Sequence, residues 1–256
     1  MRYLPLTVLS VALLGSTAFT AAAQDRYFNF ALRGGISAAP SYPGSDSYSV
    51  GPDLAFKFGA LKLGSIDAGN GIGEIPDNGF SYGGAFRVIG DRKVKDNPEL
   101  AGLDDIDYAV ELGIGVTYRE TNWLAFGELR KAFGGSHGVT GTLGADMIFR
   151  PDDRWTISAG PRINLGDTDY AQTYYGVPGS STSSFAPFNP GGGVLGAGFE
   201  VQATYELNNN WALEGAITYQ KLLNDAADSP ITMSTTGSDD QLSLRLGLSR
   251  AFTLRF

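Results

Sequence analysis

Residues 241–256 read QLSLRLGLSRAFTLRF, and this stretch decides the fold class of the chain. Leucine occupies every second position from Leu242 to Leu248, and small or polar residues lie between the leucines. A period of two puts alternate side chains on opposite faces of a β-strand, so this strand has one continuous apolar face. Such an alternation, ending in Phe256, is typical of strands that cross a membrane as part of a barrel. We predict that the C-terminal signal for the barrel-assembly machinery consists of Phe252, Leu254 and Phe256.

The same alternation recurs along the chain from Tyr27 onward. Aromatic residues stand at the ends of several segments, and short turns alternate with long connections, as in membrane barrels. The alternative is a soluble β-sandwich, but these segments are long for sandwich strands. We therefore predict an all-β, antiparallel transmembrane β-barrel, with strands near residues 27–38, 48–59, 79–90, 107–119, 122–133, 138–149, 154–165, 194–207, 211–222 and 240–256.

The number of strands follows from the position of the termini. If both termini lie in the periplasm, the number must be even, with short turns inside and long connections outside. The predicted short turns are 120–121, 151–153 and 208–210, and the long connections are 91–106, 166–193 and 223–239. Two short strands near 60–67 and 70–75 bring the predicted total to twelve strands. The alternative is ten strands, with residues 60–78 as one irregular loop.

The N-terminal segment, residues 1–23, has the features of a secretory signal peptide. Arg2 is its positive residue, an apolar stretch follows, and Ala21 to Ala23 supply the small residues that a signal peptidase requires. We predict cleavage near Ala23, which leaves residues 24–256 as the barrel. Export and a barrel together predict the outer membrane of a Gram-negative bacterium, in contact with membrane lipid and lipopolysaccharide.

Composition excludes several classes of function. The net charge is −8 with no basic run, which disfavours a nucleic-acid partner because phosphate binding requires clustered Lys and Arg. The chain has no cysteine, which excludes disulfides, thiol catalysis and Cys-ligated zinc. We predict no cofactor.

The period of two also predicts which charged side chains line the barrel interior. The two signs are nearly balanced, so the interior is either a network of paired charges that fills a narrow barrel or a hydrophilic path with weak ion selectivity. Arg250 falls on the lipid-facing side, which requires either a bulge or a position near the membrane interface. The predicted interior residues are Arg33, Lys57, Arg87, Arg130, Arg162, Arg245, Asp53, Glu111, Glu128, Asp146, Glu200 and Glu214.

No arrangement of residues predicts an enzyme. The one histidine, His137, lies in a Gly-rich turn beside Ser136, and adjacent residues of an extended chain point to opposite sides. Asp104, Asp105 and Asp107 match no closed calcium loop, so a solvated acidic patch is favoured over a metal site. Residues 191–193 are three glycines without the context of a nucleotide-binding loop.

Several stretches together resemble the MipA/OmpV family of outer-membrane proteins. They are YPGSD at 42–46, RKVKDNPELAGLDDID at 92–107, YYGV at 174–177, AADSPI at 226–231 and the terminal Phe256. The resemblance implies an outer-membrane barrel without known catalytic residues. It also implies either a scaffold that links a lytic transglycosylase to a peptidoglycan synthase or, alternatively, a narrow porin-like channel for small solutes. The predicted periplasmic turns are short, which leaves little surface for a partner.

Overall fold

A computed structural model describes residues 26–69, 71–73 and 77–256. The signal peptide predicted at 1–23 and its cleavage site lie outside these residues. Strands dominate the described chain, one short helix interrupts them, and single 3₁₀ turns lie at Pro98–Leu100 and Asn224–Ala226. The elements are β1 (Tyr27–Pro40), β2 (Tyr48–Leu63), β3 (Ile66–Ala68), β4 (Gly79–Ile89), β5 (Ala109–Arg119), β6 (Trp123–Gly134), β7 (Val139–Phe149), β8 (Trp155–Gly166), α1 (Thr168–Tyr175), β9 (Gly193–Asn208), β10 (Trp211–Leu222) and β11 (Asp240–Arg255).

All strands belong to one antiparallel sheet in the order β3-β2-β1-β11-β10-β9-β8-β7-β6-β5-β4. The first and last long strands pair with each other from Tyr27 opposite Arg255 to Ala38 opposite Leu244. This pairing brings the two ends of the described chain to the same end of the barrel, which we call the terminal end. The opposite end, where the long connections lie, is the loop end. The predicted all-β antiparallel barrel is confirmed.

The predicted total of twelve strands is not confirmed, and the alternative of ten fits. Over the described residues the sheet has ten long strands plus β3, which is three residues long. The reason is local: β2 continues past residue 60 to Leu63, and Gly64 (φ 62°) then turns the chain so that β3 folds back onto residues 61–63. Residues 71–73 form no strand, and residues 70, 74 and 75 of the predicted second strand lie outside the described part.

The apolar residues of the strands cover the outside of the barrel. Leu242, Leu244, Leu246 and Leu248 are 40–53% exposed, whereas Gln241 and Ser249 on the other parity are buried. Aromatic pairs mark the terminal end, including Tyr118 with Trp123 and Trp155 with Tyr205. A sheet with an apolar outer face and aromatic residues at its rim suits a membrane rather than water. No helix within the described ranges is long and apolar enough to span a membrane.

Arg250 lies at the terminal end of the apolar face. It pairs in the ladder with Trp211, the first residue of β10, and its register with that strand is regular. The guanidinium carbon lies 5.2 Å from the centroid of the Trp211 ring and 5.0 Å from that of Phe252. Arg250 is therefore compatible with the lipid-facing side because it lies near the membrane interface. A cation stacked on aromatic rings at the rim avoids the free-energy cost of a charge at mid-membrane.

Replacement of Arg250 by Ala is expected to lower the free energy of unfolding by about 0.5–1 kcal/mol, the range of an exposed cation–π contact. Urea unfolding of the protein refolded in lipid vesicles measures this loss. Arg255→Ala, at the end of β11, serves as the control and is expected to change less. An equal loss in both variants contradicts a specific contribution from the two rings.

Candidate functional site: the barrel interior and its loop cap

The interior face of the barrel carries charged side chains that pair across strands. Arg33 of β1 lies 2.8 Å from an Asp53 carboxylate oxygen on β2 and 3.2 Å from Glu214 on β10. The Arg33–Glu214 pair passes over β11, which lies between the two strands. Arg33, Asp53 and Glu214 are each at most 17% exposed, as expected for side chains on the inner face of a barrel.

A second group of charges is centred on Glu111, which is 0% exposed. Its two carboxylate oxygens accept hydrogen bonds from Arg87 Nε (2.8 Å) and Nη2 (2.9 Å), from Arg130 Nε (3.0 Å) and from Thr140 Oγ1 (3.1 Å). Arg130 also pairs with Glu128. Glu111 thus pairs with two guanidinium groups at once, and the group ties together β4, β5, β6 and β7.

A third group is centred on Arg162 and Glu200. Arg162 donates to both oxygens of Asp146, at 2.7 and 3.0 Å, and pairs with Glu200 at 3.2 Å. Glu200 also accepts from Arg245 Nη2 at 3.0 Å and from Thr218 Oγ1 at 2.8 Å. Bidentate Arg–carboxylate pairs of this kind fix side-chain geometry as well as charge. This group links β7 to β11 across the interior.

The structure brings all the predicted interior residues except Lys57 into these three groups. Within the described chain, Lys57 makes no ion pair or side-chain hydrogen bond, although it shares the interior face of β2 with Asp53. Opposite charges at hydrogen-bonding distance leave little net charge to attract a permeating ion.

At the loop end, the connections between strands fold together into what we call the loop cap. It consists of residues 41–47, 90–108, 135–138, 167–192 and 223–239. Its one helix, α1, begins after Asp167, whose Oδ1 accepts a hydrogen bond from the Tyr170 backbone N–H at 2.9 Å. An N-cap aspartate and an eight-residue helix give this long connection a defined shape.

Two apolar clusters hold the loop cap together. The first surrounds the buried face of α1 and consists of Ile106, Ala171, Tyr174, Tyr175, Leu195, Leu222 and Ala226. The second joins four different connections and consists of Tyr42, Leu100, Leu103, Val177 and Ile231. Because each cluster draws on several connections, the cap behaves as one packed unit rather than as separate loops.

Hydrogen bonds between connections reinforce this packing. Arg92, which is 5% exposed, donates from Nη1 to the Tyr174 carbonyl at 3.0 Å. Ser229 Oγ donates to the Tyr175 carbonyl at 2.7 Å, and Ser45 forms a β-bridge with Gly237. The C-terminal end of α1 is therefore fastened to two other connections.

The helix lies above the Glu111 group. Burial raises the pKa of Tyr170, on which the charges of Arg87, Glu111 and Arg130 also act. The helix also contacts β7 and β8. The loop cap therefore lies over the part of the barrel end where the Glu111 group is found.

Alkaline pH is expected to loosen the loop cap through its buried tyrosines. Burial raises the pKa of Tyr42 to about 12 and also raises the pKa of Tyr174 and Tyr175. Tyrosine in an unfolded chain has a pKa near 10. The stability contributed by the neutral side chains is therefore complete below pH 10 and is lost as the pH rises through about 12. Phenolate absorbance and the near-ultraviolet circular dichroism of the folded protein follow this loss.

The matched control is Tyr82→Phe, because Tyr82 is 82% exposed on the outer face of β4. Tyr42→Phe is expected to shift the loss of near-ultraviolet signal to higher pH, and Tyr82→Phe is expected to leave it in place. A signal that stays constant while all tyrosines ionise contradicts the buried position of the cap residues.

The other residues considered in the sequence take structural positions in the loop cap. Ser136 is buried and its Oγ accepts from the Gly138 backbone N–H at 3.3 Å, whereas His137 is exposed. In the acidic patch, Lys93 Nζ pairs with Asp107 at 2.5 Å and lies 3.7 Å from Asp105. Among the described residues, no group of three or more His, Asp or Glu side chains is placed to hold a metal ion. In the glycine run, the Gly191 N–H donates to Asp225 Oδ2 at 2.5 Å.

Reasoning from sequence missed the loop cap. Large apolar residues in the connections, where polar residues are expected, could have predicted it. Leu100, Val177 and Ile231 are each at most 2% exposed although they lie outside the long strands. Apolar residues at such positions require a second core, and that core is the loop cap.

Several solved structures are similar to this chain. OprG from Pseudomonas aeruginosa is 12% identical, with a TM-score of 0.32 over 89% of this chain and 97% of that one. The CymD monoaromatic hydrocarbon channel is 10% identical, with a TM-score of 0.37 over 91% and 89%. A bacterial polysaccharide outer membrane secretin is 10% identical, with a TM-score of 0.41 over 89% and 98%. These scores are low, so the fold rests on the strand pairing of this chain and not on the likeness.

No curated protein matches the sequence. A family model described as "MltA-interacting protein MipA" matches residues 32–252. The match includes the YPGSD, 92–107, YYGV and AADSPI stretches, so the resemblance seen in the sequence is confirmed. Because the match covers most of the chain, this protein belongs to the MltA-interacting protein (MipA) family.

Proposed function

We propose that this protein is an outer-membrane β-barrel with an occluded interior, and that it serves as a structural scaffold for peptidoglycan-remodelling enzymes. The observation that supports the proposal is an interior crossed by three groups of paired charges, with a packed loop cap at its loop end. A barrel of ten strands is narrow compared with the 16–18-stranded porins that hold an open channel. A filled and covered barrel suits an anchor better than a solute path.

The apolar outer face and the aromatic residues at the terminal end support a place in the outer membrane. The signal peptide predicted at 1–23, with cleavage near Ala23, supplies the route there. In this orientation the terminal end faces the periplasm and the loop cap faces the outside. The barrel-assembly machinery inserts the chain by way of Phe252, Leu254 and Phe256, and lipid and lipopolysaccharide surround the apolar face.

The partner is inferred from the family, whose description names an interaction with MltA, a lytic transglycosylase. A peptidoglycan synthase is the second partner of the scaffold that we propose. The turns at the terminal end, residues 120–122, 150–154 and 209–210, are short. A standard interface of about 800 Å² per partner must therefore span several of them together. Arg150 and Arg154 are the first and last residues of the turn between β7 and β8. Their positive charges are available to pair with acidic groups of a partner.

The second candidate is a narrow porin-like channel, favoured by the charged interior. Permeation through such a channel is costly in free energy. A permeating ion must break charge pairs such as Arg87–Glu111 and Arg162–Asp146, which are each held by two hydrogen bonds. The channel also requires the loop cap to open.

Affinity capture of the tagged protein from cross-linked cell envelopes tests the scaffold. We expect a lytic transglycosylase and a peptidoglycan synthase among the captured proteins. The variant Arg150→Glu with Arg154→Glu is expected to reduce their recovery, and Lys95→Glu in the loop cap, on the other side of the membrane, is the matched control. Recovery that is equal in all three proteins, or capture without either enzyme, overturns the scaffold.

A further inference from the structure

We propose that the loop cap binds a short uncharged saccharide in a groove that runs along the exposed face of α1. This helix groove is lined by α1 itself, by residues 135–137 between β6 and β7, and by residues 176–179 and 187–189 of the connection that follows the helix. It lies at the loop end of the barrel, away from the turns that the scaffold offers to its partners. The inference therefore does not depend on the scaffold role.

The floor of the helix groove is one side of α1. Asp169, Gln172 and Thr173 are spaced three and four residues apart, so they share one face of the helix. The side that carries Tyr174 and Tyr175 is buried in the first apolar cluster. The polar face is therefore free to meet a ligand, and it extends for roughly 10 Å from Asp169 to the end of the helix.

Two connections form the walls of the helix groove. On one side, a cavity of about 430 Å³ lies between α1 and residues 135–137. On the other side, a cavity of about 380 Å³ lies between Gln172 and residues 176–179 and 187–189. Gln172 lines both cavities, so they adjoin along the helix. Each volume is within the range of about 300–1,000 Å³ that is typical of small-molecule sites.

The walls are held in place by backbone contacts. Val177 and Phe188 exchange two backbone hydrogen bonds of 2.9 Å, and the residues directly inside this bridge are prolines, which restrict the backbone further. On the other wall, a Cβ at Gly138 would lie 2.5 Å from the backbone nitrogen of Tyr170, so this connection packs directly on the start of α1. A groove with fixed walls loses little conformational entropy when a ligand binds.

Hydrogen-bonding groups face the helix groove. Gln172 Nε2 donates to Asn189 Oδ1 at 2.8 Å, which leaves the Gln172 carbonyl oxygen and the Asn189 amide nitrogen for a ligand. The Asp169 carboxylate is exposed and has no hydrogen-bond or ion-pair partner in the part of the chain that the structure describes. Asp169 is also the one charged residue in the lining, so the helix groove disfavours an anion.

This set of groups fits a sugar. Hydroxyl groups both donate and accept hydrogen bonds, so those around a pyranose ring can pair with the amides of Gln172 and Asn189 and with the carboxylate of Asp169. Phe188 and the two prolines beside the bridge supply apolar surface for the C–H face of the ring. A single carboxylate is too few for a calcium ion, which takes six or more oxygen ligands. The length of the helix groove suits a saccharide of two or three rings.

Binding of maltotriose and of cellotriose to residues 24–256, refolded in a polyoxyethylene detergent that carries no sugar, tests the site. Titration calorimetry or ligand-observed nuclear magnetic resonance gives the affinity. We expect at least one trisaccharide to bind with a dissociation constant of about 1 mM or lower. Asp169→Asn is expected to weaken this binding about tenfold, because a hydrogen bond to a charged acceptor is lost. Asp104→Asn removes an exposed carboxylate of the loop cap outside the helix groove, and it is expected to bind like the wild type.

A second pair of variants tests the space without changing charge. A Cβ at Gly179, in the lining, or at Gly90, elsewhere in the loop cap, meets no atom within 4 Å, so both positions accept a larger side chain. Gly179→Phe fills the helix groove and is expected to weaken binding at least tenfold. Gly90→Phe is expected to have no effect. Near-ultraviolet circular dichroism verifies that the cap of each variant is folded.

Charged trimers test the class of the ligand. Trigalacturonate is anionic and the glucosamine trimer is cationic, and we expect both to bind more weakly than the better of the two uncharged trisaccharides. Tighter binding of either charged trimer contradicts an uncharged ligand. Absent binding of both uncharged trisaccharides, or equal binding by the wild type and either Asp169→Asn or Gly179→Phe, overturns the site. None of these results changes the outcome expected from envelope capture, so the site and the scaffold are tested separately.

Discussion

Replacing Glu111 with Ala is expected to lower the free energy of unfolding by about 3–5 kcal/mol, the largest loss among the interior substitutions. The carboxylate is 0% exposed and faces two guanidinium groups, Arg87 at 2.8 Å and Arg130 at 3.0 Å. Its removal leaves one of these cations, Arg130, buried with Glu128 as its remaining carboxylate partner and Thr142 Oγ1 as a neutral acceptor. Desolvated charges without partners are costly, so the loss exceeds that of one hydrogen bond. Urea unfolding of the protein refolded in vesicles measures it.

Glu128→Ala is the matched control for this prediction. Glu128 pairs with the same Arg130, but its side chain is 37% exposed. Water can replace a partly exposed carboxylate, so the expected loss is about 1 kcal/mol or less. A loss from Glu111→Ala that is no larger than the loss from Glu128→Ala contradicts the central position of Glu111.

The second large effect is expected in the loop cap. Tyr174→Ala removes a ring that is 1% exposed at the centre of the first apolar cluster, and the expected loss is about 3–5 kcal/mol of local stability. The ring packs with Tyr170 at a centroid distance of 4.7 Å, and the backbone beneath it accepts the hydrogen bond of Arg92. A cavity at this position loosens the end of α1. Limited proteolysis of the connection at 176–192 is expected to become faster, while the strands stay protected.

Tyr174→Phe is the control that separates packing from hydrogen bonding. The Tyr174 hydroxyl is buried and has no hydrogen-bond partner among the described residues. A buried hydroxyl without a partner costs free energy, so its removal is expected to keep or increase the stability of the cap. Faster proteolysis of Tyr174→Phe, at a rate near that of Tyr174→Ala, contradicts the account of the cap.

Sequence patterns predicted the strands of the barrel for one physical reason. Residues 241–256 alternate strictly, and in a β-strand the alternation alone decides which side chain faces lipid and which faces inward. The pairing of Arg162 with Asp146 and Glu200 could not be derived this way, because it depends on which strands are neighbours and on their register. The sequence alone does not decide whether the interior is paired or open, and the distances between opposite charges favour pairing.

Two features of the structure could not be predicted from the sequence, for different reasons. The region 60–75 alternates over only a few residues, and such a short pattern cannot distinguish a new strand from the end of β2 and its fold-back. The loop cap has no period at all, because its contacts join residues far apart in sequence, such as Tyr42 and Ile231. Packing of that kind becomes visible only in three dimensions.

The occluded interior is the central claim, and electrical conductance across a planar lipid bilayer tests it most directly. The refolded protein, inserted at single-molecule density at neutral pH, is expected to give no discrete conductance steps, because paired charges fill the barrel and the loop cap covers it. Insertion is verified independently by protease protection of the same vesicle preparation. Reproducible, uniform conductance steps from the wild-type protein contradict the account and favour a channel.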